Sequence, residues 1–79
     1  KGKFSNKTIM FTGGFEKMSR SEAKSLVENN GGKVLGTVTK KLDLLVTGNS
    51  KPTKKKIDNA KKLNIKIIKE EDWYKILNL

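Results

Sequence analysis

Four short apolar runs alternate with segments of helical periodicity, and glycine or turn residues separate them. Lys7-Thr8-Ile9-Met10-Phe11 is β-branched and aromatic, and Thr12-Gly13-Gly14 ends it with a turn signal. Ser19-Arg20-Ser21-Glu22 has the spacing of a capping box. Ala23, Leu26 and Val27 follow on one helical face, and Asn30-Gly31-Gly32 stops the helix, which spans Arg20 to Asn30. Lys33-Val34-Leu35 reads as a second strand, Gly36 to Leu42 as a polar, basic loop, and Asp43 to Thr47 as a third strand ended by Gly48-Asn49-Ser50. Pro52 precedes a second helix, Thr53 to Leu63, with Ile57, Ala60 and Leu63 on its inner face. Ile65-Lys66-Ile67-Ile68 is a fourth strand. Glu70-Glu71-Asp72 opens a third helix with acids where the helix dipole favours them, and Trp73, Ile76 and Leu77 form its inner face. The order β-α-β-β-α-β-α, with mostly apolar strands, predicts a parallel sheet covered on both faces. One tension follows. About seven residues join the second and third strands, whereas a parallel crossover usually takes about a dozen or more.

Seventy-nine residues make one small domain, with 1–6 as a lead-in segment and 7–79 as the domain itself. Such a chain hides only about 60% of its unfolded surface, enough for one packed core. Eighteen basic residues against eight acidic give a net charge of +10, and Arg20 is the one arginine. That excess points to a polyanionic partner: nucleic acid, an acidic membrane surface or an acidic protein face. The chain has no cysteine, hence no disulfide, zinc-thiolate site or thiol nucleophile, and no histidine for a serine triad or general base. These absences argue against a complete enzyme. The longest apolar runs, such as Leu44-Leu45-Val46, are too short for a transmembrane helix or signal-peptide core. No G-x-x-x-x-G-K-[ST] string is present.

Thr12-Gly13 after the first strand, Gly31-Gly32 after the first helix, and Trp73 in the third helix stand in register with these elements. With them the chain resembles a BRCT domain over roughly residues 5 to 78. Phe11-Thr12-Gly13, Met18-Ser19-Arg20, Gly31-Gly32-Lys33-Val34, Thr39-Lys40-Lys41 and Asp43-Leu44-Leu45-Val46 are most similar to the C-terminal BRCT module of bacterial NAD-dependent DNA ligases. The large subunit of replication factor C carries a similar domain that binds 5′-phosphorylated DNA. The resemblance implies an α/β fold of three layers: a four-stranded parallel sheet of order 2-1-3-4, helices 1 and 3 on one face, helix 2 on the other. It also implies a cytoplasmic bacterial parent whose NAD, magnesium and zinc are held in other domains, with no cofactor in this chain.

In such a sheet a crevice opens at the C-terminal ends of strands 1 and 3. The resemblance implies that Thr12 and Gly13 bond a phosphate there while Arg20 and Lys56 neutralise it. Where ligase modules carry Gly-Ser-Lys, this chain reads Thr53-Lys54-Lys55-Lys56. Counting back from Ile67-Ile68 puts Lys56 at the family's lysine position, with Lys55 one residue away. Each residue has a plainer reading. Thr12 can simply close a turn that Gly13-Gly14 permits, and a lysine run is usually a solvated face. Yet Lys54, Lys55 and Lys56 crowd a helix start, where the dipole disfavours cations. Gly31-Gly32 reads as a C-cap and Trp73 as core. Glu70, Glu71 and Asp72 are adjacent and cannot converge on one metal from one helix face. Glu16 and Glu28 show no carboxylate partner for acid–base work. The functional reading is a monomeric, non-catalytic module that binds nicked or 5′-phosphorylated duplex DNA and contacts other domains of the parent ligase, with no membrane role. The alternatives are a phosphopeptide or protein docking module, the replication factor C type of domain, and a spacer with no pocket in use.

Overall fold

The computed structural model describes residues 2, 4–50 and 54–77. The elements are β1 (Thr8–Thr12), α1 (Arg20–Asn29), β2 (Lys33–Val34), β3 (Leu44–Thr47), α2 (Lys54–Lys62), β4 (Lys66–Lys69) and α3 (Glu70–Leu77). Pro52 and Thr53, expected at the start of the second helix, lie outside the described residues. The sheet has order β2-β1-β3-β4, and every neighbouring pair is parallel. Successive side chains along β1 go to opposite faces. Ile9 and Phe11 pack with Ala23 and Val27 of α1 and Trp73 and Tyr74 of α3. Met10 packs with Leu45 and with Ala60 of α2. The layers are therefore α1 and α3, the sheet, and α2.

The caps explain where the helices start and stop. The Ser19 hydroxyl accepts from the Glu22 N–H at 3.1 Å, and the Glu22 carboxylate accepts from the Ser19 N–H at 3.1 Å, completing the capping box. Helix α1 ends in a Schellman turn: Gly32 N–H bonds Val27 C=O, Gly31 N–H bonds Glu28 C=O, and Gly31 takes φ 85. A Cβ on Gly32 would sit 2.7 Å from Val27 Cγ1, so the second glycine is there for contact rather than for φ. Helix α2 ends the same way without a glycine. Asn64, at φ 58, takes the left-handed position while Ile65 N–H bonds Ala60 C=O and Asn64 N–H bonds Lys61 C=O.

Three features were not expected. The segment Gly36 to Asp43 is no plain polar loop: Leu42 is buried, and Leu35 and Val38 pack beside it on the α2 face. The short connection works because this stretch crosses the sheet as chain and supplies its own apolar cover. Phe4, in the lead-in segment, is buried and stacks on Trp73 at 5.2 Å, with Phe11 edge-on to the indole at 5.1 Å. The face expected for α3 holds at two of its three residues: Trp73 is buried and Leu77 packs on the core. Ile76 is 38% exposed, whereas Glu70, Trp73 and Tyr74 are buried. The spacing 70, 73, 74, 77 fits a 3.6-residue period, and its charged member hid it.

Candidate functional site

The loops after β1 and β3 are joined to each other. Gly14 N–H bonds Ser50 C=O at 2.6 Å, Ser50 N–H returns to Gly14 C=O at 3.2 Å, and Gly48 N–H bonds Thr12 C=O at 2.7 Å. A Cβ on Gly48 would lie 2.3 Å from the Gly14 oxygen, so this approach needs glycine. Thr12 is fully buried at the end of β1, opposite Thr47. Gly13 turns the chain at φ 84, and its carbonyl accepts from Arg20 Nε at 3.4 Å.

A cleft of about 270 Å³ opens over the outer edge of β1, where the two-residue β2 stops short. Its walls are Arg20, Ser21 and Lys24 from the first turns of α1, Val34, Leu35 and Gly36 after β2, and Lys56 from the first turn of α2. Met10 and Phe11 form its floor, and no carboxylate lines it. The structure thus brings Arg20 and Lys56 together from two helices and places Gly13 beside Arg20. Thr12 and Gly13 do not line this cleft. Of the lysine run, Lys56 is half-buried in the cleft wall, while Lys54 and Lys55 are exposed. Lys24 was not singled out from the sequence. The signal was present, since it stands four residues after Arg20 and so on the same helical face.

A second polar group holds both loops from behind. The Glu70 carboxylate accepts from the Asn49 N–H at 2.7 Å, the Glu16 N–H at 3.1 Å and the Tyr74 hydroxyl at 2.6 Å. The Lys17 N–H donates to the Tyr74 oxygen at 3.0 Å, and Lys17 Nζ stands 5.1 Å from the ring centroid. Burial works to raise the Glu70 pKa. The Tyr74 hydroxyl, the Asn49 and Glu16 amides and the Lys17 charge together outweigh it and hold the carboxyl below its ordinary value. Burial first, and then the bond to Glu70, push the Tyr74 phenol up. Glu70 was read as a helix-start acid. It is that, and it is also the acceptor that ties α3 to the β1–α1 and β3–α2 loops. Among the described residues no three His, Cys, Asp or Glu side chains could hold a metal ion, and no helix is long and apolar enough to cross a membrane.

A DNA ligase of Pelagibacter ubique (strain HTCC1062) is 54% identical over 77 residues, covering 98% of this chain and 11% of that relative. DNA ligases of Brucella ovis (strain ATCC 25840 / 63/290 / NCTC 10512) and Brucella canis (strain ATCC 23365 / NCTC 10854 / RM-666) are each 45% identical over 71 residues, covering 90% of this chain and 10% of theirs. The chain therefore spans about a tenth of the length of these relatives. The BRCA1 C Terminus (BRCT) domain family matches residues 1–77, and with the parallel 2-1-3-4 sheet and its three helices this chain belongs to the BRCT family.

Proposed function

We propose that this domain is a non-catalytic DNA-binding and docking module of an NAD-dependent DNA ligase, helping the enzyme hold nicked or 5′-phosphorylated DNA through phosphates. One observation carries the reading. Arg20 and Lys56, each in the first turn of its helix, converge with Lys24 on a cleft that no carboxylate lines. Cations placed against two helix dipoles, in a cleft that no carboxylate lines, favour an anionic ligand. In this reading Arg20 and Lys56 neutralise a phosphate, Gly13 positions Arg20 through its carbonyl, and Thr12 sets the loop from inside. Lys54 and Lys55 extend the positive field outward. In this reading the NAD, magnesium and zinc of such a ligase belong to other domains of a cytoplasmic bacterial parent, and this chain has no cysteine or histidine to offer a zinc ion.

Phosphate contacts carry little sequence information, and lysine is a flexible point charge suited to phosphates rather than to reading base edges. Binding is then weak, sequence-independent and steep in salt. A domain with a radius of gyration of 11.5 Å reaches roughly three to five phosphates, each contributing about −0.9 to the slope of log K against log salt. The test is an NMR titration with a duplex bearing a 5′-phosphate, beside its dephosphorylated twin, a nicked duplex and a phosphoserine peptide. Amide shifts around Gly13, Arg20 and Lys56 that need the 5′-phosphate support the reading. Equal shifts with both duplexes, or a preference for the peptide, overturn it.

A further inference from the structure

Charge count and helix geometry carry the cleft beyond a single phosphate. Its lining holds three cations, Arg20, Lys24 and Lys56, and no acid. A terminal phosphate carries about −1.5 to −2 near neutral pH, which leaves roughly one positive charge unmatched. An internucleotide phosphate adds one negative charge. A 5′-terminal phosphate and the linkage next to it therefore match the three cations, and a lone phosphoserine does not. The shape agrees. Lys24 follows Arg20 by four residues, so the two side chains leave the same face of α1 about 6 Å apart along its axis. Ser21, between them in the cleft wall, adds a hydroxyl. The same lining includes Lys56 and Gly36, the latter just past the end of the two-residue β2.

We propose that the cleft is a two-phosphate site: Arg20 and Lys56 take the 5′-terminal phosphate of a DNA strand, and Lys24 takes the next phosphate along that strand. The proposal rests on the phosphate reading above and adds to it a direction for the strand and a role for Lys24. Lys24 is exposed on α1, so its replacement leaves the fold intact.

The experiment is a coupling cycle on the full 79-residue chain. The probes are a duplex with a 5′-phosphate, its dephosphorylated twin, the phosphorylated duplex with a neutral methylphosphonate at the first internucleotide linkage, and a singly phosphorylated serine peptide. Affinity is measured at low salt for the wild type and for Lys24→Ala, with Lys61→Ala as a control on the far turn of α2. An exposed charge pair is worth up to about 1 kcal/mol, or roughly fivefold. Neutralising the linkage should weaken the wild type roughly fivefold, and Lys24→Ala should weaken binding of the unmodified duplex by a similar factor. The two changes together should do no more than either alone, while Lys61→Ala should leave the methylphosphonate effect unchanged. Additive losses overturn the proposal, because Lys24 then does not meet that phosphate. If the 5′-phosphate matters but the linkage charge does not, only the second subsite fails. If the 5′-phosphate itself is irrelevant, the underlying reading of the cleft fails with it. A singly phosphorylated serine peptide bound as tightly as the duplex and indifferent to Lys24→Ala also overturns it.

Discussion

Helices α2 and α3 begin at the same end of the sheet and carry opposite charge there. The first turn of α3 holds Glu70, Glu71 and Asp72, whereas the first turn of α2 has no acid and opens with Lys54, Lys55 and Lys56. A helix N-terminus favours anions and disfavours cations by a few tenths of a kcal/mol or more per group. At their other ends both helices follow the rule, with Lys61 and Lys62 closing α2 and Lys75 near the end of α3. The departure is therefore local to the start of α2. The packing differs in the same sense: α3 buries Glu70, Trp73 and Tyr74, and α2 buries only Ala60. The start of α3 is completed by the chain itself, through the amides that Glu70 accepts. The start of α2 faces a cleft of cations that a ligand would complete.

The largest effects should come from undoing the internally completed side. Trp73 is fully buried between Phe4 and Phe11, and Trp73→Ala should lower stability by roughly 3–5 kcal/mol in chemical denaturation. That is much of the about 5–15 kcal/mol available to a domain. Trp73→Phe should lose less, because it keeps an aromatic ring in place and, among the described residues, strands no acceptor of the buried indole Nε1. A loss below about 2 kcal/mol for the alanine variant would mean that α3 is not the anchor described.

Glu70→Ala should cost roughly 2–4 kcal/mol, since it strands two loop amides and a buried hydroxyl without their acceptor. The same group predicts a pH dependence of definite sign. The Glu70 carboxyl is depressed from its ordinary value of 4.5. Its contribution is thus present above that value and is lost as pH falls through the folded pKa. Asp43, lowered chiefly by its bond from the Thr8 amide, works in the same direction. Only the difference between wild type and Glu70→Gln isolates Glu70. The wild type should lose its advantage over the variant on acidification. An advantage that stays constant down to pH 3 would show that the carboxylate charge is not what the loops require.

The charge contrast was legible in the sequence, because acids and lysines at predicted helix starts can be counted directly. So was the fold, since the capping box, Gly31-Gly32 and the apolar β1 and β3 each specify an element locally. What was not legible was held by long-range contact. Phe4 lies among polar neighbours, and only the indole it stacks on makes it core. Leu42 and Val38 are isolated apolar residues in a basic stretch, and their role appears once that stretch crosses the sheet. Glu70 has the sequence signature of a helix start, and nothing local says that its carboxylate turns inward to amides far away in the chain. In the site, Arg20 and Lys56 were nameable from the resemblance. Lys24 was within reach through its spacing from Arg20, but the gap left by a two-residue β2 was not, because the length of β2 is set by its pairing with β1 at Thr8 and Ile9.

Binding sharpens the contrast from the other side. Lys56→Ala should weaken duplex affinity by roughly tenfold at low salt, about equally for all sequences, and make the salt slope shallower by about one unit. Lys66→Ala, at the opposite ends of the strands, should do much less. Equal losses at both positions would reveal a diffuse basic surface and remove the distinction between the two helix starts.

The smallest effect is the most discriminating, because it has the opposite sign in two assays. If Lys56 is placed for a ligand and not for the fold, removing its charge should stabilise the free domain while it weakens binding. Lys56→Met keeps the apolar stem that packs in the cleft wall and deletes only the ammonium. Lys56→Glu goes further, placing an acid where the α2 dipole favours one and beside Arg20 and Lys24, which line the same cleft. The next positions on that helical face, Asn59 and Ala60, bring no acid against it. Stability without DNA should therefore rise in the order Lys, Met, Glu, with the last gaining about 0.3–1 kcal/mol at low salt. Affinity for the 5′-phosphorylated duplex should fall in the same order, and added salt should compress both trends. Denaturation and titration of the three proteins in one buffer decide it. If the wild type is the most stable of the three, Lys56 serves the fold, and the start of α2 is as complete without a ligand as the start of α3.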